Sequence, residues 1–220
     1  MRLKNGIIML SFLGILLFSH NAEAFIFINE ILADPPAGLS GDANGDGLTS
    51  STQDEFVELL NNTNTFIDIS GWLLKDALST RHVFPSSTIM SPNQYLVVFG
   101  GGTPNLLGIN WQIASSGTLS LNNTSETVSL FDASSSLIDQ IVYGSIGGHD
   151  QSIVRWPEEP GSNFVLHSSI QEANGRKFSP GTNVNGEQPS ANSSTVPEPI
   201  TLIYGGVSLV LARFVRKRFN

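Results

Sequence analysis

Cysteine is absent from all 220 residues, which excludes disulfides and zinc–thiolate sites. Basic side chains are nearly as scarce where it matters. Residues 25–195 hold five Lys or Arg against 17 Asp or Glu, a formal charge of −12. Nucleic-acid affinity comes mainly from Lys and Arg neutralising phosphates, so this surface excludes a nucleic-acid partner and favours a cation. Histidine is sparse, and beyond residue 24 only His82, His149 and His167 remain. No G-x-S-x-G, H-E-x-x-H, P-loop or G-x-G-x-x-G occurs. The one pairing resembling a base with its orienting acid is His149-Asp150. Adjacent strand residues point to opposite faces, so the pair suits a surface loop better than a relay. These absences point away from an enzyme.

Long apolar runs are also missing: the two present, 7–18 and 200–212, fall short of the ~20 residues of a membrane span. Each sits in an informative setting. Arg2 and Lys4 precede the first, and Ala22-Glu23-Ala24 follows it. That is the layout of a secretory signal peptide at 1–24, formed as a short helix and cleaved after Ala24. It implies the Sec translocon as a partner. The second run follows Val196-Pro197-Glu198-Pro199 and leads into Arg213, Arg216, Lys217 and Arg218. Phe214 and Val215 can extend it to a transmembrane helix while Arg213 snorkels. The positive-inside rule then keeps the basic tail cytoplasmic. Two prolines hold 196–199 extended and non-helical.

This order of Pro-Glu-Pro, hydrophobic segment and basic tip resembles the PEP-CTERM sorting signal of Gram-negative bacteria. The resemblance implies transient anchoring in the inner membrane, cleavage by an exosortase, and delivery to the cell surface or extracellular space. Exopolysaccharide or matrix partners are likewise implied by the sorting family and by no particular residue. Between domain and signal, 184–195 is rich in Asn, Ser and Gly and reads as a flexible linker.

The middle of the chain reads as all-β. Apolar and β-branched runs recur at 25–32, 55–60, 66–69, 72–74, 82–84, 95–99, 118–121, 127–131, 137–143, 152–156 and 164–167, separated by Gly, Asn, Ser and Pro. No long helical period interrupts them. The spacing predicts a sandwich of two antiparallel sheets, with Trp72, Trp111, Trp156 and most Phe in its core. Alternation in Ile26-Ile28-Glu30-Leu32 places Glu30 on an otherwise apolar face, and Glu58 shares a face with Phe56 and Leu60. Such a carboxylate needs a donor or a cation, unless it lies at a solvated sheet edge.

The ordered pieces Ile28-Asn29-Glu30-Ile31, Asp54-Glu55-Phe56-Val57-Glu58-Leu59, Ser70-Gly71-Trp72, Asp76, Phe84-Pro85, 95–99, Asp150-Gln151-Ser152, Arg155 and Phe178-Ser179-Pro180-Gly181-Thr182 resemble the lamin tail domain. The resemblance covers residues 25–183. It implies an immunoglobulin-like antiparallel β-sandwich, flanked here by the signal helix and the transmembrane helix. Family members are mostly non-enzymatic interaction or accessory modules.

One loop carries metal-ligand spacing. Asp42, Asn44 and Asp46 occupy positions 1, 3 and 5 of a D-x-N-x-D-G calcium loop, with Gly47 at the sharp turn and the Leu48 carbonyl at position 7. Position 12 is Gln53, so the closing carboxylate is expected from Asp54, one residue on. Calcium is the expected cofactor; a metal-free Asp/Asn/Gly turn is the alternative. Together these features predict a non-enzymatic exported interaction module. A calcium-dependent glycan-binding domain, or an accessory to a secreted hydrolase or nuclease, is the second expectation.

Overall fold

The computed structural model describes residues 25–188. The expected signal peptide with Ala22 and Ala24, most of the linker, the sorting motif, the transmembrane helix and the basic tail lie outside the described residues. Among the described residues, no helix is long and apolar enough to cross a membrane.

The described chain is all-β, with twelve strands and four single-turn 3-10 helices. The strands are β1 (Ile26–Leu32), β2 (Phe56–Asn61), β3 (Ile67–Asp68), β4 (Leu73–Lys75), β5 (Thr80–Val83), β6 (Ile89–Met90), β7 (Tyr95–Phe99), β8 (Trp111–Ile113), β9 (Glu126–Phe131), β10 (Leu137–Tyr143), β11 (Ile153–Trp156) and β12 (Asn163–Leu166). A six-stranded sheet runs β12-β11-β1-β2-β7-β8, a four-stranded sheet runs β10-β9-β4-β5, and β3 pairs with β6. The pairings are antiparallel except β7 with β8, which is parallel. That pair departs from the antiparallel expectation. The intervening loop 100–110 carries the chain back along the sheet, so β8 enters in the same direction as β7.

The larger sheet is covered on both faces. Every residue of β1, β2 and β7 is buried. This explains why those strands read as continuous apolar runs, whereas half-exposed β10 varies along its length. The inner face packs Ile26, Ile28, Ile31, Val57, Leu59, Leu96 and Val98 against Leu74, Val128 and Leu130 of the smaller sheet. Among the described residues, no second sheet covers the outer face. Loops and 3-10 turns cover it, with Phe178 and Ile109 packing on Leu32, Phe56, Val97 and Phe99, and Ile170, Ala173 and Val184 packing on Val154. Phe56 meets both Phe99 and Phe178 edge-on, at centroid distances of 5.8 and 6.5 Å.

A bulge in β1 decides which side chains face which way. The register steps from Ile28↔Leu59 to Glu30↔Glu58, leaving Asn29 as the extra residue. Ile28 therefore belongs to the inner core while Glu30 turns to the outer face. Simple alternation put them together; the bulge separates them. Side chains from two other strands, Arg155 buried and Asp139 partly buried, patch the disrupted ladder. Asp139 Oδ2 accepts from the Ile28 N–H at 2.8 Å, and Arg155 Nε donates to the Ile28 carbonyl at 2.8 Å. Arg155 and Asp139 also pair with each other at 2.9 Å. The guanidinium stacks over Phe27 and Phe164.

Several strand and core expectations are corrected. Residues 118–121 are not a strand, although Leu119 and Leu121 are buried in the core. Strands β6 and β8 were not anticipated, being short and flanked by polar residues. Trp72 packs against the core, but Trp111 and Trp156 are 37% and 36% exposed. The packed chain also runs past residue 183. Val184 is buried, and the Asn183–Glu187 turn closes on itself by backbone bonds. The first residues of the expected 184–195 linker are thus part of the fold.

Candidate functional site

Two polar assemblies sit on the outer side of the larger sheet. The first begins with Glu30 and Glu58, register partners across β1 and β2, both with 0% exposure. Like charges directly opposed in a sheet destabilise it. Removing a carboxylate from water without a partner is costlier still. The chain answers with donors from its C-terminal strap, residues 177–184. Glu30 Oε1 accepts from Ser152 Oγ at 2.5 Å and from the Ser179 N–H at 3.0 Å, while Oε2 accepts from Ser179 Oγ at 2.8 Å. His167, fully buried, shares a hydrogen bond with Ser179 Oγ through Nε2 and donates to the Arg176 carbonyl through Nδ1, both at 2.9 Å. Glu58 Oε2 accepts from the Gly181 N–H at 2.6 Å. Gly181 has a φ of +78°, and a Cβ there would collide with Ile109, so glycine is required for the approach.

Asn29, the bulge residue, extends the network. Its Nδ2 donates to Glu58 Oε1 at 3.0 Å and to Glu158 Oε1 at 2.9 Å. Glu158 also accepts from Tyr95 Oη at 3.2 Å and from the Val184 N–H at 3.3 Å. Asn29 Oδ1 is buried without a hydrogen-bond partner. Burial, then the neighbouring Glu30, hold the Glu58 carboxyl well above the usual carboxylate range. Burial raises Glu158 as well, and pushes Glu55, beneath the other end of the sheet, up to about 8. Sequence reasoning located Glu30 and Glu58 but missed Asn29, Glu158 and His167 as their partners. The signal available was the ordered recurrence of Asn-Glu, Glu and Ser-Pro-Gly along the chain.

The second assembly is the acidic loop. Asp42 and Asn44 direct Oδ1 atoms to the same Asp46 N–H, at 3.1 and 3.0 Å. Asp42 Oδ2 accepts from the Gly47 N–H at 2.8 Å, and Asp46 Oδ1 from the Leu48 N–H at 2.9 Å. The loop lies against the Gly100-Gly101-Gly102 turn, where Thr103 N–H donates to Asp46 Oδ2 at 3.0 Å and Asn105 N–H to the Asn44 carbonyl at 2.8 Å. The Thr103 bond, then that from Leu48, lowers the Asp46 carboxyl. Asp54, expected to close a calcium shell, lies at the base of the loop. It is fully buried and accepts from the N–H groups of Ala43, Asn44 and Ser50 at 2.9, 3.1 and 2.7 Å. Its carboxylate staples the base of the loop.

Among the described residues, no three His, Cys, Asp or Glu side chains are gathered to hold a metal. An ion in this loop would therefore depend on Asn44, the Leu48 carbonyl and water as much as on Asp42 and Asp46. The cleft beside it, about 390 Å3, is lined by Asp46, Leu48, Thr103, Pro104 and Asn105 and contains no aromatic ring.

The sequence matches the Lamin Tail Domain family over residues 19–145, more than half of the chain. The chain belongs to the lamin tail domain family. No curated protein matches it. The matched segment carries β1 to β10 and therefore both opposed glutamates. The donors that satisfy them come mostly from residue 152 onward, past the matched region. In this lamin tail domain the buried pair and its clasp thus sit on separate parts of the chain.

The raised carboxyls give a pH signature. A folded-state pKa above the unfolded value means that the folded form binds more protons. The stabilisation is complete below the unfolded value, near 4.5 for Glu55 and Glu58, and is lost as pH rises through the folded value. For Glu55 that window runs from about 4.5 to about 8. Melting temperature should fall as pH rises across this window, a loss on the order of a few kcal/mol. Glu55→Gln and Glu58→Gln, neutral at every pH, should flatten the profile. Wild-type stability that is constant or rising between pH 5 and 8.5 would contradict the assignment.

Proposed function

We propose that this lamin tail domain is the cargo of an export and sorting route and acts outside the cell as a non-enzymatic interaction module. Residues 1–24 direct it to the Sec translocon. Val196-Pro197-Glu198-Pro199, the hydrophobic segment and Arg213, Arg216, Lys217 and Arg218 hold it in the inner membrane for an exosortase. Released or displayed, it meets matrix components such as exopolysaccharide.

The observation carrying the non-catalytic part is the employment of its titratable groups. Glu30, Glu58, Glu158 and His167 are committed to the clasp. His82 is engaged by Gln112 and by the Ser115 N–H. His149 is exposed, in keeping with a surface loop. A general acid or base must reach its substrate proton, and the buried groups are sealed by their own partners. With no cysteine, the exported domain must hold its fold without disulfides.

Calcium is the cofactor this reading carries, with Asp42, Asn44, Asp46 and the Leu48 carbonyl as its protein ligands. It would neutralise charge on a strongly acidic surface and stiffen a loop already pinned to 101–105. Calorimetric titration should give calcium binding that is lost in Asp42→Asn, and chelation should lower the melting temperature. No binding heat together with an unchanged melt would remove calcium from the account. For the route itself, intact mass spectrometry of protein recovered from the cell exterior should find an N-terminus at Phe25 and a C-terminus near 197–199. A product still ending at Asn220 would overturn the sorting proposal.

A further inference from the structure

A cleft of about 230 Å3 lies between β6 and the edge strand β8. It is lined by Ser87, Thr88, Ile89, Met90, Gln94, Leu96, Asn110, Trp111 and Gln112. In a domain carrying −12, this lining holds no ionisable side chain. Its polar groups are two hydroxyls and three carboxamides.

The carboxamides are oriented by the fold. Burial lowers the His82 pKa and keeps the ring neutral. Its Nδ1 accepts from the Ser115 N–H at 3.2 Å, so the proton sits on Nε2 and is donated to Gln112 Oε1 at 2.6 Å. The oxygen of Gln112 is thereby committed. Its Nε2 keeps one long contact, 3.4 Å to Thr88 Oγ1. Gln94 is held the same way. Its Oε1 accepts from the Ser91 N–H at 2.6 Å, which leaves its amide N–H groups to donate. Asn110 is exposed, and only its backbone carbonyl is used, by the Val97 N–H. Trp111, 37% exposed at the sheet edge, borders the cleft, where the sequence pattern had placed a core residue.

We infer that this cleft binds a neutral saccharide unit, with the Trp111 indole against the sugar ring and the amides of Gln94, Asn110 and Gln112 on its hydroxyls. Hydroxyl-rich, uncharged ligands are matched by donors and acceptors without ions. An anionic ligand would find no counter-charge here and would meet the domain's negative field. Drug-sized ligands are enclosed by about 300–1,000 Å3, so a cleft of this volume takes one ring-sized unit of a longer chain. The inference deepens the interaction-module reading and rests on it only for the setting in which the ligand is met. Because binding is read on purified protein, its failure is separate from a failure of sorting.

The test is isothermal titration of the full-length protein, in a sugar-free detergent, with cello-, malto- and chito-oligosaccharides and with oligoguluronate as the charged comparator. At least one neutral series should bind saturably, and oligoguluronate should not. Trp111→Ala should weaken binding about tenfold or more. Gln94→Ala should weaken it less, and Trp156→Ala, at the other end of the sheet, should leave it unchanged. Thermal melts matching wild type would establish that these variants are folded. Absence of binding by all three neutral series, or equal binding by a folded Trp111→Ala variant, would overturn the inference.

Discussion

Two buried carboxyls facing each other across β1 and β2 are the constraint on which the outer half of this domain depends. Glu30 and Glu58 are register partners with no exposure. A pair in that position destabilises the sheet unless it is supplied with hydrogen bonds and relieved of charge. The fold does both. Ser152, Ser179 and Gly181 supply donors, and burial favours the protonated form of Glu58. The C-terminal strap is therefore the partner of the pair, and its apolar residues Phe178 and Val184 close the outer face around it.

This arrangement explains how a cysteine-free domain secures its C-terminal segment. A strap held by apolar contacts alone could shift, whereas one whose N–H groups must meet particular oxygens has a single register. The requirement for glycine at 181 expresses the same geometry, since the N–H reaches Glu58 only where no side chain meets Ile109. The β1 bulge completes it. Were Asn29 an ordinary ladder residue and not a bulge, Glu30 would share the inner face with Ile28. With it, the ladder needs the Arg155–Asp139 patch at Ile28.

The fold class was legible because apolar runs and turn residues alternate at sandwich spacing. The doubly covered sheet was legible in principle, since β1, β2 and β7 are apolar runs apart from Asn29, Glu30, Glu58 and Asn61. The faces were not, because one bulged residue inverts the alternation and leaves no mark in composition. Segment 118–121 looked like a strand because Leu119 and Leu121 are buried, but burial without a ladder partner is a loop. Trp111 looked like core because tryptophan usually is; its place on a three-residue edge strand depends on the parallel return after β7. Asp54 was found in the right loop, and what could not be read is that three backbone N–H groups hold its carboxylate.

Hydrogen exchange followed residue by residue in the full-length chain tests the clasp most directly. The account predicts that the Ser179 and Gly181 amides are protected to the level of the β1–β2 ladder. It further predicts that Glu58→Ala, which removes the acceptor, releases Gly181 while the inner-face ladder of β9 and β10 stays protected. Rapid exchange of both amides in the wild-type protein, with β1 and β2 still protected, would contradict it.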